Sequence, residues 1–328
     1  MKYRVLGKTG LKISEISLGT WQLGGKWGEK FKYDLADQIL NQAIDSGINF
    51  IDTADVYNDG QSEKAIAKLL KNRSERIYVA TKCGRQLQPH VNASYQTDVL
   101  RKFVEDSLVR LDVEQLDLVQ LHCPPTEVYY RPEIFELFDR LKDEGKVSNL
   151  GVSVEKVEEA LKAIEFSNVT TVQIIFNMFR HRPSELFFRE AKTRNIGILA
   201  RVPLASGLLT GKFKADTNFS DGDHRNFNRD GQMFDKGETF SGVNYEMGLR
   251  AVDELQSIFS EDIPLAHQAL KWVLMFNEVS CVIPGASSVD QVISNIKADS
   301  IDDLSDQQMN QVKNIYNRYI AKDVHHLW

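Results

Sequence analysis

Cysteine is scarce in this chain of 328 residues: Cys83, Cys123 and Cys281 are odd in number and far apart. That spacing excludes both a disulfide framework and a zinc ribbon. His122-Cys123 has no second Cys or His at ligand spacing, so no metal site is expected. Long hydrophobic runs are also missing. Nothing approaches the roughly 18 consecutive apolar residues of a membrane span, and no membrane partner is expected. The start, Met1-Lys2-Tyr3-Arg4-Val5, has no apolar signal-peptide core, so a cytoplasmic location is expected. Positive charge is not in excess, with 40 Lys and Arg against 46 Asp and Glu, and no dense basic block. That argues against a nucleic-acid partner. Two nucleotide signatures are absent as well. "GLLTGK" (207–212) lacks the phosphate-loop spacing, and no G-x-G-x-x-G follows a strand.

What is present is a rhythm. Short apolar runs stand at 15–19, 48–52, 77–82, 116–122, 147–153, 169–177, 196–201 and 279–285. Between or after them lie helical patterns at 35–46, 61–71, 97–110, 132–144, 155–164, 184–194, 264–276 and 289–298. Runs apolar on both faces suit parallel strands covered by helices. Eight of them alternating with helices predict an α/β fold, a (β/α)8 TIM barrel spanning 1–328 as a single domain. Residues 2–15 predict an N-terminal β-hairpin about Lys8-Thr9-Gly10. Residues 304–320 predict an extra C-terminal helix, with the tail to Trp328 packing back on the body. The polar segment 212–243 predicts a long loop, a length more often functional than accidental.

Barrel sites form where the C-terminal ends of the strands converge. The runs close there in Gly19-Thr20-Trp21, Asp52, Lys82, His122, Ser153, Gln173 with Asn177, Arg201 and Gly285, and Tyr57 follows Asp52 by five residues. A phenol is a reluctant acid near neutral pH, and a neighbouring ammonium is expected to lower its pKa while a carboxylate fixes that ammonium. This is a kit for proton transfer without a source of electrons, so a bound cofactor is expected. Taken singly, Asp52 reads as a turn cap and Tyr57 as a packing aromatic; together with Lys82 they read as a site. Trp21 and Trp27 are candidates for walling a substrate pocket or for plain packing. The charges at Glu155-Lys156 and Glu158-Glu159 read as a solvated helix face.

The motifs "IDTADVY", "ATK", "LVQLH", "LGVS", "VQIIFN", "PLASGLLTGK" and "IPGASSVDQVISN", in this order over nearly the whole chain, resemble the aldo-keto reductase superfamily. They are most similar to its bacterial long-loop members, which also resemble potassium-channel β subunits. The resemblance implies NADPH as cofactor, with NADH as the alternative, and a small-molecule carbonyl substrate. It assigns Tyr57 as general acid, Lys82 and Asp52 as its tuning pair, and His122 as the donor that orients the substrate. Trp21, Tyr57 and His122 would line the substrate.

It places Gly19, Thr20, Trp21 and Asp52 at the nicotinamide ribose, and Ser153 and Gln173 at the carboxamide. Pro203, Leu204, Ser206, Gly207 and Lys212 would lie along the pyrophosphate. Gly285, Ser287, Gln291 and Asn295 would meet the adenosine end, and Arg225 would close over the cofactor from 212–243. The chain departs from the pattern at Arg201, whose guanidinium would stack on the nicotinamide where many members place an aromatic ring, at Val154 in place of Asn, and at Ser287-Ser288 in place of a phosphate-selecting cation. The resulting expectation is a reductase of aldehydes or reactive ketones. The alternative is a cofactor-sensing regulatory subunit, and His122, where such subunits carry Asn, favours the enzyme.

Overall fold

A computed structural model describes residues 1–25 and 29–328; Trp27 lies outside the described residues. Two short antiparallel strands, β1 (Tyr3–Val5) and β2 (Lys12–Ser14), form the hairpin, pairing Tyr3 with Ser14 and Val5 with Lys12. Eight parallel strands follow: β3 (Leu18–Gly19), β4 (Phe50–Asp52), β5 (Tyr78–Cys83), β6 (Leu118–His122), β7 (Leu150–Ser153), β8 (Val169–Ile175), β9 (Gly197–Arg201) and β10 (Val279–Ile283). Neighbours in the sheet are consecutive in the chain. Parallel bridges Ile16–Val282 and Gly19–Gly285 close the last strand onto the first. This is the expected TIM barrel.

The helices cover it for the reason their periodicity gives. Tyr33–Asp45 buries Ala36, Ile39, Leu40, Ala43 and Ile44, a stripe repeating every three or four residues against the sheet. Every residue of β8 is buried, as a strand packed on both faces requires. The hairpin stoppers the barrel at the strands' N-terminal ends. Ser14 N donates to Asn49 Oδ1 (2.7 Å), and Leu6 and Ile13 join a small cluster with Phe50, Leu118 and Leu199. Gly7 makes this approach possible, because a Cβ there would lie 2.2 Å from the Gly197 amide.

One element differs from expectation. After 212–243 the chain forms an additional helix, Tyr245–Ile258, capped by the Asn244 side chain and burying Gly248, Ala251, Val252 and Leu255. The segment itself holds a short helix, His224–Phe227, and helical turns at Lys236–Glu238 and Phe240–Gly242. At the C-terminus, Asp306–Tyr319 is the extra helix and Trp328 is buried, as expected. Among the described residues no helix is long and apolar enough to cross a membrane.

Candidate active site

Asp52 ends β4, and the next residues must turn back over the barrel mouth. Asn58, Asp59 and Gly60 take positive φ values of 49°, 53° and 76° in succession, the conformation that short polar residues and glycine tolerate best. That left-handed run closes the turn that carries Tyr57 and leads into the helix Gln61–Asn72. Lys82 lies on β5, next to β4 in the sheet, and the three side chains meet. The Lys82 ammonium donates to Asp52 Oδ2 (2.6 Å), to the Thr53 carbonyl (2.8 Å) and to Tyr57 OH (3.3 Å). All three of its donors are thereby used. Asp52 Oδ1 accepts from Gln173 Nε2 (2.7 Å) and Gln120 Nε2 (3.3 Å), so the carboxylate is held from both sides.

The protonation states follow from burial. Burial alone would lower the Lys82 ammonium, but Asp52 and Tyr57 outweigh it and hold Lys82 charged, above the ordinary lysine value. Tyr57 departs from the sequence-based expectation. Burial raises its phenol further than Lys82 pulls it down, so the net shift is upward. Desolvation is the factor a sequence cannot display. The consequence is a phenol that keeps its proton at neutral pH. His122 stands edge-on to Tyr57 with ring centroids 6.0 Å apart. Burial, reinforced by Arg85, Lys82 and Arg201, holds its imidazole neutral. Its Nδ1 has no hydrogen-bond partner among the described residues.

These groups open on one cavity of about 1320 Å³, larger than the roughly 300–1,000 Å³ of ordinary small-molecule pockets. Asp52, Tyr57 and His122 line it, as do Gly285, Gln291 and Asn295. Gly19, Thr20, Trp21, Gln173, Arg201, Pro203, Leu204, Ser206, Gly207, Lys212 and Arg225 also line it. Lys82 stands behind Asp52 and Tyr57 rather than on the wall. Ser153 and Ser287 are likewise not among the described lining residues. The Ser153 hydroxyl meets Cys123 Sγ at 3.5 Å, and the Ser287 amide donates to Gln291 Oε1 at 2.7 Å. Gln173 reaches the cavity while its amide nitrogen is committed to Asp52.

The long wall is built from backbone. Val202, Ala205, Ser206 and Gly207 have φ of 53°, 48°, 55° and 95°, the kind of left-handed backbone from which anion-binding concavities are built. Lys212 and Arg225 stand by the same wall, and a Cβ on Gly207 would be 3.6 Å from Arg225 Nη1. Arg225 itself forks onto Asp223 (2.8 Å from Nε) and covers Phe219 at 4.7 Å. At Gly285, also on the wall, a Cβ would meet nothing within 4 Å, which leaves the space beside it open. Backbone, two cations and a space of this volume fit a dinucleotide.

Several neighbours carried no legible signal. Glu155, expected on a solvated face, is instead drawn inward, where its Oε2 accepts from Arg201 (2.8 Å). Glu159 of the same run is buried as well, accepting from the Glu155 and Lys156 amides. Arg201 also donates to the Val154 carbonyl (3.0 Å) and lies 3.7 Å from Glu238. Arg85 joins this group through Glu238 (2.9 Å). Trp21 packs edge-on against His224 at 4.6 Å, and both line the cavity.

A family model described as "Aldo/keto reductase family" matches residues 15–317. The chain is 30% identical over 325 residues to the uncharacterized oxidoreductase YqkF of Bacillus subtilis, covering 98% of this chain and 99% of that one. It is 28% identical to an NADH-specific methylglyoxal reductase of Escherichia coli, with 93% and 95% covered. Among solved structures it superposes on the glycerol dehydrogenase AKR11B4 from Gluconobacter oxydans with a TM-score of 0.80, at 28% identity over 97% of this chain and 96% of that one. The holo form of the aldo-keto reductase AKR11C1 from Bacillus halodurans gives 0.76 at 26%, with 96% of each covered.

Proposed function

Because the chain belongs to the aldo/keto reductase family, we propose that it reduces aldehydes or reactive ketones to alcohols at the expense of NADPH, with Tyr57 as the general acid. The observation that carries this reading is the Lys82 ammonium, 2.6 Å from Asp52 and 3.3 Å from the Tyr57 hydroxyl, directly behind those two wall residues of a cavity of about 1320 Å³. When bound, the reduced nicotinamide supplies the hydride.

This chain's residues do the rest. Neutral His122 orients the carbonyl by donating a hydrogen bond to its oxygen. Tyr57 OH gives up its proton as negative charge grows on that oxygen. A raised phenol pKa suits the task, because the proton stays in place until an alkoxide, far more basic than a phenolate, demands it. Lys82 then stabilises the phenolate left behind, and Asp52 keeps the ammonium charged and aimed. Lys212 and Arg225 would neutralise the pyrophosphate, and Gln291 and Asn295 would face the adenosine.

No cation follows Ala286, where Ser287 and Ser288 stand, and the Escherichia coli relative is named as NADH-specific, so the cofactor test runs both forms. Loss of reduced-nicotinamide absorbance is followed with an activated aromatic aldehyde, NADPH or NADH, and Tyr57→Phe as control. Turnover in the wild type that falls by about 10²–10⁴ in the control, with NADPH still bound, is the expected result. Tight NADPH binding without turnover across an aldehyde panel would point instead to a cofactor-sensing subunit.

A further inference from the structure

One cation of the cavity wall is left unused by the reductase chemistry. Arg85 follows β5 by two residues, and Gly84 between them has φ of 104°; a Cβ there would press on the Tyr95 ring at 3.0 Å. The left-handed glycine swings Arg85 back over the barrel mouth, where it lines the same cavity as Tyr57 and His122. Of the cations around His122 it disfavours protonation of the imidazole most, ahead of Lys82 and Arg201. Its position is fixed on one side only. Nη1 lies 2.9 Å from Glu238 Oε1 and 3.9 Å from Glu155 Oε1, and the guanidinium covers Phe234 at 5.7 Å.

The remaining donors of the fork, on Nε and Nη2, meet no acceptor among the described residues. The other wall cations differ. Arg201 places Nη2 on Glu155 and the Val154 carbonyl and keeps its unpartnered Nε buried, Arg225 forks onto Asp223, and Lys212 stands beside the backbone wall assigned to the pyrophosphate.

Resting on the reductase reading, we infer that Arg85 is a substrate anchor, and that the preferred carbonyl compound carries an anionic group, a carboxylate or a phosphate, which the free edge of this guanidinium receives. A planar fork with parallel donors matches either anion in a bidentate pair. The charge balance agrees. Arg85 and Arg201 face Glu155 and Glu238, two carboxyl groups crowded together. Burial, with Glu238 beside it, pushes Glu155 up to about 8. The two carboxyl groups therefore offset the two guanidinium charges less than fully, which favours an anion at this corner.

The test compares succinic semialdehyde with butanal, and glyceraldehyde 3-phosphate with glyceraldehyde, in the wild type, Arg85→Gln and Arg85→Lys. In the wild type one charged member should have a KM at least about tenfold below its neutral partner, and which one identifies the anion. Arg85→Gln should collapse that KM ratio to within about threefold, and Arg85→Lys, which keeps the charge and loses the fork, should fall between. Ratios near one in the wild type, or a ratio that Arg85→Gln leaves in place, overturn the anchor while turnover of the neutral aldehydes keeps the reductase reading. Should no aldehyde turn over, the reductase reading fails, and calorimetric titration of succinate and inorganic phosphate into the NADP⁺-loaded protein decides the anchor separately. Binding of one that weakens about tenfold in Arg85→Gln supports it; no binding by the wild type refutes it.

Discussion

Lys82 is an ammonium with three donors and three acceptors, almost fully removed from water. Taking away its counter-charge leaves a buried cation uncompensated, at a cost of about 3–5 kcal/mol. Asp52→Asn should therefore lower the urea midpoint markedly, whereas Asp52→Asn with Lys82→Met, which removes both charges, should recover much of the loss. A double variant as unstable as the sum of the singles would mean that the two charges do not interact. Lys212 is exposed and sits on the cavity wall. Lys212→Ala should weaken NADPH binding about tenfold, the worth of one charge-assisted contact, and an unchanged Kd by fluorescence titration would remove it from the pyrophosphate site. Asp52, Lys82 and His122 were legible in the sequence because each is a polar group closing an apolar run. Arg85, Glu155 and Glu238 were not. They come from three separate loops, and Glu155 stands in a charged run whose pattern is that of a wet surface. The direction of the Tyr57 shift was illegible for a related reason: sequence displays which charges neighbour a phenol, and hides how much water is lost from it.

Elements are fastened by the same balance of charge against burial. His181 lies between the helix Leu265–Leu274 and the C-terminal helix Asp306–Tyr319, stacked on Tyr316 at 4.0 Å and on Trp272 at 4.8 Å. Burial depresses its imidazole from 6.5 to about 3. The folded state thus refuses a proton that the unfolded chain accepts. Its contribution to stability is complete above pH 6.5 and is lost as pH falls from 6.5 toward 3. His181→Phe keeps a ring in the stack and has nothing to titrate. Its urea midpoint should fall less between pH 7 and pH 4.5 than that of the wild type, although the bond to the Met178 carbonyl is given up. Parallel slopes would place the acid sensitivity elsewhere. The strands and most helices were legible from periodicity alone, since burial on two faces or on one stripe leaves a direct imprint. The helix Tyr245–Ile258 carries such a stripe too, at Gly248, Ala251, Val252 and Leu255. Its stripe is weak, two of the four being glycine and alanine, and it adjoins a long polar segment.

At the scale of the molecule, the barrel leaves one end for the hairpin and the other for the cavity, and the segment 212–243 governs the second. Its two parts are held in different ways. Residues 235–243 are tied to the body by buried polar contacts: Trp328 Nε1 donates to Asp235 (2.8 Å), Asn177 to the Ser241 hydroxyl (2.7 Å) and Arg180 to the Ser241 carbonyl (3.0 Å). Ser206 spans the Glu238 carbonyl and the Phe240 amide, and Glu238 reaches Arg85. Residues 213–234 have one buried side-chain bond to the second part, Asn228 to the Thr239 hydroxyl (3.1 Å), and otherwise rest largely on aromatic and cationic contacts, Arg225 over Phe219 at 4.7 Å and Arg229 over Tyr245 at 5.1 Å, while Phe213, Phe227 and Phe234 face the cavity. Contacts of that kind open at lower free energy than a network of buried hydrogen bonds. Trypsin offers a reading of both parts, because Lys214, Arg225 and Arg229 lie in the first and Lys236 in the second. The first cuts should fall after Lys214, Arg225 or Arg229, and Lys236, although exposed, should resist until the domain unfolds. NADPH, by filling the cavity that the first part lines, should slow those early cuts in proportion to its occupancy and leave the rate at Lys236 governed by global stability. Mass spectrometry of the early fragments checks this. Cleavage at Lys236 first, or early cuts indifferent to saturating NADPH, would show that 213–234 takes no part in holding the cofactor.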